Sequence, residues 1–348
     1  MIELDGSFGE GGGQILRTSL SLSLITGKPF RLRNIRAKRP KPGLQAQHLM
    51  CVKAAAEIGQ ATTTGASLSS TDLVFEPGEV IPGKYHFTIG TAGATALVLH
   101  TVALPLALFA REPSEVVISG GTHVKAAPCF HFLETTWCPY MAEFGLTIKP
   151  RMDKAGFYPR GGGSLSVHIQ PCAELNGLTL TDRAKVTEAH GLSIVADLPE
   201  EIAKRQADRA LHRLKRSRHH FKKTKVRQEE WRAGPGTVLA MTVNTNPVPT
   251  LFFALGERGK KAERVADEAL DQVDVFLATA AAVDAHSGDQ LLLPAALAKG
   301  ETTYTVSVVT EHLTTNVFVI RQFVEREIRC EVHSFPTRRS SDHRKSVV

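Results

Sequence analysis

The sequence has 348 residues, 42% hydrophobic and 22% charged, with 42 Lys and Arg against 35 Asp and Glu for a formal net charge of +7. That length holds one large domain with an insertion, or two domains, and the composition fits a buried core and excludes wholesale disorder. The positive balance favours an anionic partner such as nucleic acid or a nucleotide. Part of it lies at the end, where Arg338, Arg339, Arg344 and Lys345 outweigh Asp342 by a net +3. The five cysteines (51, 129, 138, 172 and 330) are odd in number and lack CxxC spacing. That argues against a zinc site or a disulfide framework and for a reducing cytoplasm, with ordinary thiols. The first residues, MIELDGSFGEGGGQ, are not a secretory signal, because no basic region precedes an apolar one.

In chain order, a strand near Ile2–Leu4 runs into a glycine cluster, followed by a helix over Gln14–Thr26 and a strand at Phe30–Ile35. A basic loop, Arg36–Gly43, leads to a helix from about Leu44 to Ile58. Tyr85–Ile89 reads as a strand and Ala94–Ala110 as a helix. The segment Thr91–Ala110 is long and apolar enough to pass for a membrane span, but His100 and Pro105 and its flanking strands favour a buried helix on a sheet. Glu115–Ser119 is then a strand, Gly120–Pro128 a polar loop and Phe130–Phe144 a helix. Toward the end, Leu277–Leu297 reads as largely helical, Tyr304–Val309 as a strand, Thr310–Thr315 as a polar loop and Asn316–Glu327 as a helix. This recurrence predicts an α/β (α+β) fold with an internally triplicated large domain over 1–177 and 274–332. Between them, 178–273 predicts a small inserted α+β domain: strands at Gly191–Ala196 and Thr237–Val243, helices at Glu200–Arg216 and Ala262–Val275. Its basic stretch, Lys204–Arg227, is either a solvated helix face and loop or an RNA-phosphate contact. Residues 333–348 show no periodicity and predict a disordered tail. SFPTRRSSD within them matches the translation of a common sequencing-adaptor oligonucleotide and RKSVV its reverse strand, so the tail is expected to be a foreign replacement of the native terminus. Loss of the last native strand would leave a sheet edge uncovered.

Five segments could carry chemistry. In the first, Asp5 to Arg17, the run Gly11-Gly12-Gly13 before Gln14 lets the backbone approach a phosphate at a helix N-terminus, or makes a structural turn. It is neither a P-loop nor a Rossmann fingerprint. Glu10 inside it would repel phosphate unless a divalent cation stood between them. The second, Arg36 to Gly43, sets Arg36, Lys38, Arg39 and Lys41 within six residues, as a phosphate clamp or a solvated loop. Gln47 and His48 follow in the next helix. The third, Gly156-Phe157-Tyr158-Pro159-Arg160-Gly161-Gly162-Gly163, demands a special turn or a close backbone approach. The fourth is Asp289-Gln290, with His286 one turn earlier, and the fifth is Thr310 to Asn316, in which spacing alone does not make His312 a nucleophile.

Taken together, DGSFGEGGGQILR, RAKRPKPGLQAQH, SGGTHVKAAP, GFYPRGGG, DQLLLPAALA and TEHLTTN, in that order from Leu4 to about Val332, resemble the RNA 3′-terminal phosphate cyclase family. The resemblance implies three βαβαββ units with a small α+β insert. It also implies ATP as substrate, a divalent cation (Mg or Mn), RNA with a 3′-phosphate end as partner, no membrane, and either a monomer or a homodimer. It makes His312 the nucleophile that takes AMP from ATP, passes it to the RNA 3′-phosphate and so allows the 2′-hydroxyl to close a cyclic phosphate. Glu10 matches the metal carboxylate. Arg17, Arg36, Lys38, Arg39, Gln47 and His48 match the phosphate and RNA-end contacts. The glycine loop with Gln14, then Pro128, His286, Asp289 and Gln290, match the nucleotide site. The chain departs from the family at His100, where Gln is common, at His286, where some members have Tyr, and at Ala155, where a basic residue is usual. The alternatives are a non-catalytic relative that binds RNA in ribosome assembly, which would lack the histidine, and an enolpyruvyl transferase built from similar repeats.

Overall fold

The computed structural model describes residues 1–334 and 343–347. β1 (Ile2–Asp5) passes through the glycine cluster into α1 (Gln14–Thr26), and β2 (Phe30–Arg33) returns parallel to β1. α2 (Ala46–Ile58), β3 (Thr62–Thr64) and β4 (Leu73–Glu76) follow, and β4 lies antiparallel between β2 and β3. The next sheet repeats that plan with β5 (Lys84–Thr88), α3 (Thr95–Phe109) and β6 (Ser114–Gly120). A helical stretch comes next, made of α4 (Phe130–Phe132), a π-helical turn (Leu133–Trp137) and α5 (Cys138–Glu143). β7 (Ile148–Lys154) and β8 (Gly163–Ile169) close the sheet, with β8 antiparallel between β6 and β7.

β9 (Thr179–Leu180) opens a third sheet, and the chain then leaves it for β10 (Glu188–Ala196), α6 (Glu200–Lys215), β11 (Lys223–Trp231), β12 (Gly236–Val243), β13 (Thr250–Leu255) and α7 (Ala262–Ala278). These four strands form their own sheet, β11-β10-β12-β13, with a hydrophobic cluster of its own. α8 (Ala285–Gln290), α9 (Leu292–Leu297), β14 (Thr303–Val306), α10 (Glu311–Phe323), β15 (Cys330–Ser334) and β16 (His343–Val347) then complete the third sheet. β9 is parallel to β14, and β16 is antiparallel to both β14 and β15. The three outer sheets therefore share one strand order and sense, as parallel strands joined by helical crossovers require.

The largest core cluster runs through all three sheets and their helices. α1 alternates Leu with Ser, and Ser19, Ser21 and Ser23 are buried with the leucines because α1 sits in the middle, touching α2, α3 and α10. α3 is buried on nearly every side, and among the described residues no helix is long and apolar enough to cross a membrane. Pro105 inside α3 has no N–H for the carbonyl of Thr101. The hydroxyl of Ser21 on α1 donates to that carbonyl instead, at 2.8 Å.

Several sequence expectations are corrected. β9, expected at the start of the inserted unit, pairs with β14 in the outer sheet, and the helix expected over Ala262–Val275 continues to Ala278 against β12 and β13. The helix expected over Leu277–Leu297 is interrupted at 279–284, where Asp284 caps α8 by accepting from the amides of His286 and Ser287. Thr310–Thr315, expected as a loop, is the first turn and a half of α10, because the Thr310 hydroxyl accepts from Leu313 N and caps it. In the basic stretch, Arg205, Arg209 and Arg213 recur every fourth residue on α6 and pair with Glu263, Asp267, Asp271 and Asp274 on α7. Those three cations are satisfied within the fold rather than turned to a phosphate. The tail expected to lack structure has a paired backbone where it is described, at 333–334 and 343–347, since the edge of β14 offers open hydrogen-bonding groups. The rest of that tail lies outside the described residues.

Candidate active site

The glycine loop sits where β1 ends and α1 begins. α1 has no side-chain cap at Gly13, so its first amide groups remain free to bind an anion. At two glycines the site's side chains approach so closely that they would have to shift to admit a Cβ. A Cβ on Gly12 would stand 2.2 Å from Glu10 Oε1, and one on Gly13 would stand 2.5 Å from His48 Nε2 and 2.7 Å from Arg17 Nη1. The basic loop folds over this turn. Arg39 Nη2 donates to Glu10 Oε2, Lys38 Nζ lies 3.4 Å from Gly9 O, and the side chain of Lys38 packs on Gly11. Arg36 turns back, donating to the carbonyls of Lys41 and Gly43, so its described bonds hold its own loop.

α10 brings His312 to the same place from the far end of the chain. His312 Nδ1 is 3.6 Å from Glu10 Oε1, and the imidazole is half exposed while the Glu10 carboxylate is nearly buried. Burial lowers the His312 pKa from its ordinary 6.5, Glu10 raises it, and Arg17, Arg39 and His286 lower it again. The ring is thereby biased toward the neutral, nucleophilic form.

Beside His312 opens a cavity of about 680 Å³ between the outer sheets and the inserted unit. α1 contributes Gln14 and Arg17, whose Nη2 donates to Gln14 Oε1 at 2.7 Å. α8 contributes His286, Asp289 and Gln290, and the segment before α4 contributes Pro128. His100 lines the wall from α3 and stacks on Trp137, ring centroids 4.4 Å apart. His100 Nε2 and Gln290 Oε1 are buried without a hydrogen-bond partner among the described residues, which suits a polar ligand such as a nucleobase. Burial pushes the Asp289 carboxyl up to about 7, opposed by Arg17. His100 and His48 are driven down to about 3, first by burial and then by the Arg17 charge, so both are neutral.

Of the residues singled out from the sequence, Gln14, Arg17, His100, Pro128, His286, Asp289, Gln290 and His312 meet at this cavity. Glu10, the glycines, Lys38, Arg39 and His48 form the adjoining loop cluster. Gln47 stands apart, its Oε1 accepting from Ala94 N at the start of α3. Five residues at or beside the cavity were missed. Trp137 ends the π-helical turn Leu133–Trp137 (LETTW), which interrupts the expected helix Phe130–Phe144 and which no periodicity announces. Asn316 accepts from Thr18 Oγ1 and donates to Asp289 O, joining α10, α1 and α8, although it stands within the TEHLTTN block. Lys260, Glu268 and Gln272 reach the cavity from the inserted unit, which only the tertiary fold brings there.

A nearly buried carboxylate, with Oε2 paired to Arg39 and Oε1 only 3.6 Å from His312, offers a hard oxygen donor to a divalent cation that takes its remaining ligands from phosphates. The residues present therefore fit such an ion, with Glu10 as the protein ligand.

The family model described as RNA 3′-terminal phosphate cyclase matches residues 8–330. The chain is 45% identical to the RNA 3′-terminal phosphate cyclase of Ectopseudomonas mendocina, over 94% of each chain. It is 44% identical to that of Koribacter versatilis, over 93% of this chain and 90% of the relative. It is 41% identical to that of Salmonella typhimurium, over 95% and 96% respectively.

Proposed function

The chain belongs to the RNA 3′-terminal phosphate cyclase family, and from that premise we propose that it closes a 2′,3′-cyclic phosphate on RNA ends through an adenylate on His312. As a member it is an enzyme of the ligase class that uses ATP. The observation that carries the finer reading is the meeting of His312 with Glu10 at the mouth of the cavity.

With Nδ1 facing the carboxylate, the proton belongs on Nδ1 and the lone pair on Nε2. Nε2 attacks the α-phosphorus of ATP; a P–N bond forms, the bond to the β-phosphate oxygen breaks, and pyrophosphate leaves. The positive charge that develops on the imidazole is met by Glu10. An oxygen of the RNA 3′-phosphate then attacks the same phosphorus, the P–N bond breaks, and His312 returns to its neutral state. In the last step the 2′-hydroxyl loses its proton, attacks the activated 3′-phosphorus and expels AMP. One difficult closure is divided into three transfers between good leaving groups.

In this reading Arg39, Lys38 and the first amides of α1 hold the phosphates, and Arg17, which lines the cavity, adds a further positive charge. A divalent cation, Mg or Mn, held by Glu10 and phosphate oxygens would neutralise charge on the triphosphate. His100 and Trp137 offer a stacked pair toward the base. The proposed setting is a reducing cytoplasm, in keeping with five free thiols.

The test is to incubate the protein with ATP labelled at the α-phosphate. Wild type should retain acid-labile label, while His312→Ala should lose it by a factor of about 10³ or more. Equal labelling of the two proteins would discard His312 as the nucleophile.

A further inference from the structure

We propose that His123, Cys129 and His131 form a binding site for one thiophilic divalent ion of the zinc class, separate from the ATP site. The sequence gives no hint of it, because the ligands are spaced H-x5-C-x-H rather than in CxxC pairs. The fold brings them together where the loop after β6 enters α4. Nε2 or Nδ1 of each imidazole and the Cys129 sulfur all lie within 4.8 Å of one another.

The geometry is close to what an ion would impose. His123 Nε2 and His131 Nδ1 are 3.1 Å apart. Two imidazole nitrogens on one tetrahedral zinc, each at about 2.0–2.1 Å, lie about 3.3 Å from each other. The Cys129 sulfur, within 4.8 Å of both nitrogens, would be the third ligand, with water in the fourth position. Two imidazoles and a thiolate are the donor set that zinc prefers over magnesium or calcium.

The surroundings hold the ligands in place. Phe157 stacks on the His123 ring at 5.0 Å, and Trp231 from β11 stacks on His131 at 5.6 Å. Thr122 Oγ1 lies 2.9 Å from His123 Nδ1 and also accepts from Gly156 N. Binding requires His123 to carry its proton on Nδ1, where Thr122 accepts it, so that Nε2 keeps its lone pair for the ion. His131 then carries its proton on Nε2, and the Cys129 thiol releases its proton to solvent. Between two of the ligands runs Lys125–Pro128, which lines the nucleotide cavity. An ion here would brace that wall against the inserted unit.

The experiment uses full-length protein stripped with a chelator and titrated with Co(II), then with Zn(II). Wild type should bind one equivalent of cobalt with a thiolate-to-metal charge-transfer band and the visible bands of a tetrahedral site, both bleached by zinc. Cys129→Ser should lose the charge-transfer band, and His131→Gln should bind about 10–100-fold more weakly. His312→Ala should keep the band in full, which separates this site from the ATP site. Zinc should raise the thermal unfolding midpoint of wild type by a few degrees and leave that of Cys129→Ser unmoved. No thiolate band in wild type, or an unchanged band in Cys129→Ser, would overturn the site and leave the two histidines as a hydrogen-bonded pair. Should Cys129→Ser fail to fold, undiminished cobalt affinity in His131→Gln overturns it equally.

Discussion

The nucleophilic role proposed for His312 depends on its neighbours. Desolvation pulls its pKa below 6.5 and Glu10 pushes it back, while Arg17, Arg39 and His286 depress it. In the proposed mechanism the neutral ring attacks, so adenylation should fail as pH drops through a value below 6.5. Removing the Glu10 charge removes the upward influence, so the acid limb of Glu10→Gln should move to lower pH. The same substitution should demand more Mg or Mn. Single-turnover label transfer measured against pH checks this, and an acid limb that moves upward would contradict the assigned electrostatics. The residues behind this argument were legible because they stand in compact polar blocks. Trp137 and the pairing of Asn316 with Thr18 were not, since both depend on which helices end up adjacent.

At the scale of elements, α3 looks inconsistent with its own sequence until α1 is considered. A proline in a buried helix deprives the Thr101 carbonyl of its partner, and that carbonyl has no water to turn to. Ser21 supplies the donor from α1. Ser21→Ala should therefore cost about 1–3 kcal/mol, the price of an unsatisfied buried acceptor, rather than the few tenths expected of a small polar trimming. Equilibrium urea unfolding measures it. A Ser21→Ala, Pro105→Ala double variant should recover much of the loss, because the restored N–H at 105 satisfies the carbonyl from within α3. The sequence exposed Pro105 and the serine-leucine alternation of α1 but not their link, which spans 80 residues. For a similar reason Thr310–Thr315 read as a loop: its apolar periodicity starts only at Leu313, whereas the helix starts with the cap at Thr310.

At the scale of the molecule, the repeated strand–helix order was visible from β1, β2, β5, β6 and β14, while the apolar strands β4 (LVFE) and β13 (TLFFAL) went unread. β9 was not visible either, because it is two residues long and is recognised only by its pairing with β14. The packing of three sheets around shared helices also buries an unusual set of histidines. Burial holds His48 and His100 at about 3 and His131 at about 4, and lowers His123 well below 6.5. In the unfolded chain each would titrate near 6.5, so between about pH 4 and 6.5 the unfolded state binds more protons than the folded one. Stability is then intact above 6.5 and is lost as pH falls through that window. Asp289 acts in the opposite sense. Its folded pKa of about 7 exceeds the ordinary 3.8, so its contribution is full at low pH and fades as pH rises toward 7. One carboxyl offsets one of the four histidines, and three remain. The unfolding free energy should therefore decline by more than about 1.4 kcal/mol per pH unit, the value for one net proton, between pH 6 and 5. Urea midpoints across that interval test the balance. A flat profile would mean that these rings are hydrated in the folded protein.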